Sequence, residues 1–179
     1  ELSKYGRVKG YVVDVANNDI VRAAYHKAVE DCGQIDIVIN CAGIVTSNKT
    51  FDQQTPQEIV RTMNINAIAP MFVTLAALPD MIKRNSGHIC NITSAGGMLS
   101  NPKMSVYAAS KWAATGWSDS VRIELEQMKS NIKLAQIQNA FVYSARIAII
   151  GARHGFDAYS VRFNPVDVAD SVKQIIVCL

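Results

Sequence analysis

Short runs of apolar residues alternate along the chain with longer segments in which apolar residues recur every three to four positions. The short runs predict buried β-strands and the longer segments predict helices. The predicted strands are Tyr11–Val15, Ile35–Ile39, His88–Ile92 and Ile132–Ile137. The predicted helices cover about 18–32, 56–84 with a break near Asn64 to Asn66, 103–128 and 165–178. Such alternation is typical of parallel βαβ units, so we expect an α/β, doubly wound parallel sheet in a three-layer αβα arrangement.

Polar and small residues mark the ends of these predicted elements. Thr55 and Pro56 predict a helix start, with Thr55 as the N-cap and Pro56 at the first helical position. The predicted strands are followed by Asp14, by Asn40-Cys-Ala-Gly43, by Ser94 with Ala95-Gly96-Gly97, and by Asn139. Because ligands of such sheets bind beyond the carboxyl ends of the strands, we expect a site at this edge.

Composition and charge narrow the class of protein. The chain has 179 residues with 49% apolar content, which suits one domain with a core. Its net charge of +3 comes from 18 basic and 15 acidic residues without long runs, so a nucleic-acid partner is not expected. The charged fraction of 18% lies below the globular norm of about 25%, which favours a sheet covered on both faces or a subunit contact.

The cysteines and the apolar runs exclude further classes. Four widely spaced cysteines, without Cys-x-x-Cys or a paired histidine pattern, predict neither a disulfide framework nor a metal site. No continuous apolar run reaches the roughly 18 residues that cross a bilayer. The first residues lack a signal-peptide core. We therefore expect a cytoplasmic protein without a membrane segment in this chain.

Tyr107 and Lys111 form the most informative pair. Residues four apart on a helix share a face, so the phenol and the ammonium can project into one cleft. A free phenol holds its proton up to a pKa of about 10, and a close positive charge favours the phenolate. The pair therefore predicts a proton donor and acceptor, although a tyrosine and a surface lysine on one helix are the simpler alternative.

These residues resemble the classical short-chain dehydrogenases/reductases over a match from about Val8 to Leu179. The matching segments are Asp14-Val15, Asn40-Cys-Ala-Gly43, Ile65-Asn66-Ala67, Asn91-Ile-Thr-Ser94 and Tyr107-Ala-Ala-Ser-Lys111. They occur in the family's order, with the family's interval between Ser94 and Tyr107. The resemblance implies a Rossmann-like fold and hydride transfer between NAD or NADP and an alcohol or carbonyl carbon.

The resemblance also implies a role for each matching residue. Tyr107 would exchange the proton, Ser94 would hydrogen-bond the same oxygen, Lys111 would favour the phenolate and bind the nicotinamide ribose, and Asn66 would hold a water. The cofactor-binding residues would be Asp14, Val15, Asn40, Ala42, Gly43, Tyr107, Lys111, Val142 and Ser144. Asn64 is the alternative to Asn66, and the register against Leu78-Pro79 favours Asn66.

The chain departs from the family pattern in two places. Asn139-Ala140 stands where the family has Pro-Gly. No glycine-rich phosphate loop precedes Asp14, and a βαβ unit that carries one needs about 30 residues. In the family's strand order the two absent strands would lie between the first and second strands of this chain. We therefore expect residues 1–179 to be one partial Rossmann-fold domain of a longer polypeptide.

Function is expected to be that of an NAD(P)-dependent alcohol/carbonyl oxidoreductase. The segment 141–164 corresponds to the family's substrate loop, and its apolar residues favour a lipophilic substrate, whereas its arginines leave an anionic group open. The family implies a homodimer or homotetramer through the helices at about 66–84 and 103–128. The alternative function is that of a catalytically inactive or truncated relative that acts as a binding or assembly partner.

Overall fold

The computed structural model describes residues 9–45, 49–138, 146–149, 159–162 and 173–178. The strands are β1 (Lys9–Asp14), β2 (Ile37–Asn40), β3 (His88–Ile92), β4 (Lys133–Ile137), β5 (Arg146–Ile149), β6 (Tyr159–Arg162) and β7 (Lys173–Cys178). The helices are α1 (Asn18–Cys32), α2 (Pro56–Met63), α3 (Ala69–Arg84) and α4 (Ser105–Gln127). Among the described residues, short 3₁₀ turns cover Phe51–Gln53 and Ala95–Gly97.

The main sheet is parallel, with the strand order β2-β3-β4. In its register Val38 lies opposite Ile89, and Ile89 lies opposite Leu134. These three side chains pack against Ala77 and Met81 of α3, and all five are buried. The predicted parallel βαβ order is confirmed for this part of the fold.

β1 does not join the main sheet but pairs antiparallel with β7. The helix predicted over about 165–178 is therefore wrong for Lys173–Cys178, which forms a strand instead. The run Ile175-Ile-Val177 is β-branched and suits a strand, and its backbone gives β1 hydrogen-bond partners. β1 and β2 are not neighbours in a sheet, as expected. β1 was also expected to pair with parallel strands, whereas its partner β7 is antiparallel.

Within the segment 141–164, the described strands β5 and β6 pair antiparallel, with Arg146 opposite Arg162. Its assignment as a substrate loop remains a prediction.

A second apolar cluster connects the end of β1 to the turn that follows β2. Val13 and Val15 pack with Ala42 and with Ile65, and each is at most 8% exposed. Because Val15 directly follows β1 and Ala42 follows β2, this cluster brings the carboxyl ends of the two strands together without a hydrogen bond between them.

A buried row of asparagines crosses the carboxyl end of the sheet. Asn40 and Asn91 lie opposite each other in the register, and Asn40 Nδ2 donates to Asn91 Oδ1 at 2.8 Å. Asn40 Nδ2 also lies 3.2 Å from Thr74 Oγ1 on α3. Asn91 Nδ2 donates to Ser118 Oγ on α4 at 2.7 Å. The row therefore ties two strand ends to both covering helices, since buried polar groups are stable only when hydrogen-bonded.

α2 and α3 form one helical rod, joined by a π-helical segment at Asn64–Ile68, which is called the π segment below. The predicted break near Asn64 to Asn66 is thus a change of helical pitch and not an interruption. The predicted start is confirmed, because Thr55 and Glu58 form a reciprocal capping box and Pro56 follows at the first position.

The rod Pro56–Arg84 is also long and apolar enough, by length and composition alone, to cross a membrane. It has 29 residues and a window of mean hydropathy 1.6, of which 44% is buried in the protein. The absence of a membrane segment, expected from the continuous apolar runs, therefore stays a prediction. The same residues include Ala77 and Met81, which are fully buried against the sheet, as in the core helix of a folded domain.

Candidate active site

Lys111 places a cation inside the protein. Its side chain extends from α4, the residue is 6% exposed, and Nζ donates to the Ile92 carbonyl oxygen at 3.2 Å. In the described ranges, no carboxylate lies within ion-pair distance of Nζ. Burial lowers the pKa of the Lys111 ammonium, and the neighbouring Cys41 thiol opposes this effect. A buried ammonium that lacks a carboxylate partner is costly, which makes it a candidate for a functional group.

Tyr107 lies beside this cation on the first turn of α4. Lys111 Nζ is 5.8 Å from the centroid of the Tyr107 ring, as expected for residues one helical turn apart. Tyr107 itself is half-buried. The predicted pair is therefore brought together.

Ser94 approaches the same tyrosine from the turn after β3. Its Oγ accepts a hydrogen bond from the Gly96 N–H at 3.1 Å, so it caps the short turn Ala95–Gly97. A Cβ at Gly96 would lie 3.1 Å from Tyr107 Cε1 and 3.5 Å from Ser94 Oγ. Both side chains thus border Gly96, and a larger residue there would press on the tyrosine ring.

Gly97 sets how closely the turn packs on α4. A Cβ at this position would lie 2.7 Å from Thr115 Oγ1 and 2.9 Å from the Lys111 carbonyl oxygen. The second atom belongs to the helix backbone and cannot rotate away. Gly97 therefore permits the contact that places Ser94 next to Tyr107 and Lys111.

The structure distinguishes the two candidate asparagines. Asn66 is 1% exposed, whereas Asn64 is half-buried and lines a cavity together with Ala16 and Pro56. Asn66 Oδ1 accepts from the Ile44 N–H at 2.8 Å, and its Nδ2 donates to the Ile44 carbonyl at 2.8 Å and to Ser110 Oγ at 3.0 Å. The placement favours Asn66 as the residue of the site.

Gly43 lies close to both Asn66 and Lys111. A Cβ on Gly43 would lie 3.5 Å from Asn66 Oδ1 and 3.6 Å from Lys111 Nζ. Gly43 itself is exposed, while Ala42 beside it is buried in the second apolar cluster. The predicted turn therefore opens directly onto the buried ammonium. Asn40 lies below it in the asparagine row, where its amide contacts protein groups.

Asp14 and Val15 lie at the end of β1, next to a cavity. Asp14 Oδ1 accepts from the Ala16 N–H at 3.0 Å, and Val15 is 1% exposed. A cavity of about 470 Å³ begins at Ala16. Its other lining residues are Pro56, Gln57, Val60, Arg61, Asn64 and Ile65. Asp14 thus supports a local turn, and Ala16, two residues later, lines a space of the size that ligand sites have.

Some predicted positions lie outside the described residues. Val142 and Ser144, predicted to contact the cofactor, belong to this group, as do Asn139 and Ala140 at the departure from the family pattern. In the ranges that the structure does describe, no three His, Cys, Asp or Glu side chains gather as a metal site would need.

Burial raises the pKa of the Cys41 thiol, although the Lys111 charge lowers it in part. A thiol with a raised pKa is a poor nucleophile near neutral pH, which agrees with the choice of Tyr107 over Cys41 as the reactive group.

Sequence reasoning missed two partners of the site. The backbone N–H and carbonyl of Ile44 hold Asn66, and no side-chain pattern could have indicated this contact. The second partner is Ser110, which is fully buried and whose Oγ accepts a hydrogen bond from Asn66 Nδ2. Its position between Tyr107 and Lys111 on one helix was an available signal, because serine in a helix bonds back to an earlier carbonyl.

Comparison with known proteins agrees with this geometry. The family pattern described as short chain dehydrogenase matches residues 1–152. Estradiol 17-beta-dehydrogenase 11 of Pongo abelii is 36% identical over 69% of this chain and 41% of that protein. The 3-ketodihydrosphingosine reductase of Bacteroides thetaiotaomicron is 34% identical over 73% of this chain and 48% of that protein. The chain thus spans less than half the length of these two relatives.

Solved structures give the same result. A short chain dehydrogenase/reductase from Burkholderia phymatum in complex with NAD is 25% identical, with a TM-score of 0.75 over 78% of this chain and 50% of that chain. A metagenomic short-chain oxidoreductase in complex with NADP is 26% identical, with a TM-score of 0.71 over 76% of this chain and 61% of that chain.

The protein is a Rossmann-like α/β protein of the αβα type. This class is defined by the parallel sheet, the covering helices and the residues at the strand ends. The chain belongs to the short chain dehydrogenase family.

Gly97→Ala should lower the free energy of unfolding by about 1–3 kcal/mol, because its Cβ meets the α4 backbone. Gly116→Ala on α4 is the matched control, since nothing lies within 4 Å of a Cβ there. It should raise stability by about 0.5–1 kcal/mol through helix propensity. Urea unfolding measures both changes. Equal effects of the two substitutions would contradict the close packing of Gly97.

Lys111→Met should stabilise the protein at pH 7 by about 1 kcal/mol, because it removes a buried charge. The pKa of Lys111 is lowered in the folded state, so between that pKa and its ordinary 10.5 the unfolded chain binds more protons. Stability of the wild type should therefore rise with pH in this window, and the variant should lose that rise. Unfolding free energies from pH 7 to 10 test this, with exposed Lys133→Met as control. A variant with the wild-type pH slope would contradict it.

Proposed function

We propose that this protein is an NAD(P)-dependent oxidoreductase that interconverts an alcohol and a ketone or aldehyde, with Tyr107 as proton donor and acceptor. The observation that carries this proposal is the buried Lys111 ammonium, 5.8 Å from the centroid of the Tyr107 ring and without a carboxylate partner in the described ranges. Membership in the short chain dehydrogenase family supports it.

The residues present fit a nicotinamide cofactor. An ammonium has three N–H donors, and the Ile92 carbonyl accepts from one of them, so Lys111 has donors left for ribose hydroxyls. Exposed Gly43 leaves the space beside Nζ open. Asp14 and Val15, which directly precede the cavity-lining Ala16 in the chain, would contact the adenine. Val142 and Ser144 complete the proposed set, with Asn40 and Ala42 shaping the turn.

The cofactor, when bound, would supply or accept the hydride. NAD and NADP are both proposed, since structures of relatives contain one or the other.

The protein's own residues handle the oxygen and its proton. In reduction, Tyr107 gives its proton to the developing alkoxide, and in oxidation its phenolate takes the proton from the alcohol. The Lys111 cation lies one helical turn from this phenol, with Nζ 5.8 Å from the centroid of the ring. Ser94, which borders Gly96 as Tyr107 does, donates a hydrogen bond to the same oxygen. Two donors on one oxygen stabilise the charge that develops there.

Asn66 holds a water that connects Lys111 to solvent. Both N–H donors of its amide are engaged, by Ile44 and Ser110. Its amide oxygen accepts from the Ile44 N–H, so the backbone carbonyl of Asn66 is the acceptor that we assign to that water.

The proposed substrate is lipophilic. Val45, Met98 and Leu99 directly follow segments of the site in the chain and are 62%, 52% and 64% exposed. Two relatives are named for estradiol and for 3-ketodihydrosphingosine, which are apolar molecules with an oxygen function. Apolar side chains with a few polar groups are typical of such sites.

We further propose a homodimer or homotetramer, in the cytoplasm. Leu75 and Ile82 of α3 and Trp112 and Ile123 of α4 are between 41% and 64% exposed, which gives both helices an apolar outer surface. A self-complementary contact of two such surfaces is the usual basis of homodimers.

Tyr107→Phe in the full-length gene product should lower kcat/KM by about 10²–10⁴-fold, because it removes the proton donor. Reduced-nicotinamide fluorescence should still show cofactor binding. Tyr25→Phe is the matched control, because it also removes a tyrosine hydroxyl, one that donates to Asp80 Oδ2 at 2.9 Å and takes no part in the site. The turnover of this variant should match that of the wild type. Full turnover of Tyr107→Phe would overturn the proposal. A wild-type protein that binds no nicotinamide would favour an inactive relative.

A homologous series of secondary alcohols tests the substrate class. Each added methylene should raise kcat/KM by roughly threefold to fourfold, because burial of one methylene is favourable by about 0.8 kcal/mol of free energy. A short series of hydroxy acids is the control for an anionic substrate. A flat series of alcohols, or higher kcat/KM for the acids, would contradict a lipophilic substrate.

A further inference from the structure

Ser110 connects two parts of the site through one hydroxyl group. It lies on α4 between Tyr107 and Lys111 and is 0% exposed. Its Oγ donates to the Tyr107 carbonyl oxygen at 2.7 Å and accepts from Asn66 Nδ2 at 3.0 Å. Since Asn66 is also held by Ile44, a continuous chain of hydrogen bonds runs from the turn after β2 to the first turn of α4.

The first turn of α4 lacks a side-chain N-cap. Its N-cap residue, Met104, makes no side-chain capping hydrogen bond. A helix start without such a cap frays more easily, because its first N–H groups lack partners. Tyr107 lies in this turn, so the link from Ser110 to Asn66 is positioned to hold the residue that the proton transfer needs.

Ser118 shows what the same local arrangement does elsewhere on α4. It is also 0% exposed, donates to the Ala114 carbonyl at 2.7 Å and accepts from Asn91 Nδ2 at 2.7 Å. Its asparagine partner belongs to the sheet core. The two serines therefore match in burial and bonding and differ in what they hold: Ser118 holds β3, and Ser110 holds the site.

We propose that Ser110 is a positioning residue, which uses its single hydroxyl to fix the Asn66 amide against the first turn of α4 and so keeps Tyr107 in register with Asn66 and Lys111. The proposal rests on the proposed function. Alanine at this position would leave the Asn66 Nδ2–H and the Tyr107 carbonyl without this partner. Misplacement of reacting groups by about 1 Å costs up to about 100-fold in rate.

The test compares Ser110→Ala with Ser118→Ala in the full-length gene product. Both variants should lose thermal stability to a similar extent, because each loses two buried hydrogen bonds. Only Ser110→Ala should lower kcat, by about 10-fold. Its affinity for reduced nicotinamide should stay within about twofold, because the cofactor contacts are intact. Ser110→Thr keeps a hydroxyl and should recover most of the lost kcat.

A double-mutant cycle with Asn66→Ala identifies the partner. If Ser110 acts through Asn66, Ser110→Ala should change kcat by less than about twofold in the Asn66→Ala background. Independent losses in the two variants would overturn the proposal. Equal kcat for Ser110→Ala and Ser118→Ala would overturn it too, and so would a failure of Ser110→Thr to recover activity.

These outcomes are separate from a failure of the proposed function, which full turnover of Tyr107→Phe would show. If Asn66→Ala does not fold, the comparison of the alanine and threonine variants at Ser110 decides alone.

Discussion

The burial of the Lys111 ammonium is the constraint on which the site depends. A charge that is 6% exposed is stable only where fixed polar groups replace water, and here the Ile92 carbonyl at the end of β3 is one such group. That contact requires α4 to lie close to the sheet, which Gly97 permits by presenting no Cβ to the helix backbone. Because burial lowers the pKa of Lys111, the fold gives up stability to keep a cation in this place.

Rigid elements hold the surrounding groups. The asparagine row fastens the ends of β2 and β3 to both covering helices. The π segment adds a second constraint, because it places Asn66 where its amide contacts both the turn after β2 and α4. π-helical turns are frequent at functional sites, where the added residue redirects a side chain. The site thus occupies the meeting point of three segments that cannot move independently.

Much of this fold follows from local rules in the sequence. The bounds of α1 and β3 agree with the predicted 18–32 and 88–92, since Asn17 caps one and a short apolar run between turn residues defines the other. The strand β7 was missed because its apolar run suits a helix as well as a strand, and only its distant partner β1 decides between them. Pairing between segments far apart in the chain is not encoded in either segment alone.

The candidate site was predictable to the extent that its residues carry their own chemistry. Tyr107, Lys111, Ser94 and Asn66 were identified from spacing and family resemblance, and the structure brings them to one edge of the sheet. The hydrogen bonds that Ile44 and Ser110 make with Asn66 were not predicted, because they depend on how the π segment packs against α4.

The most direct test of the central claim is a crystal structure of the full-length protein with NAD or NADP and a ketone analogue. The account predicts the analogue's oxygen within about 2.6–3.2 Å of both the Tyr107 and Ser94 hydroxyls, with Lys111 Nζ on a ribose hydroxyl. An oxygen bound away from both hydroxyls, with the ribose out of reach of Lys111, would contradict it.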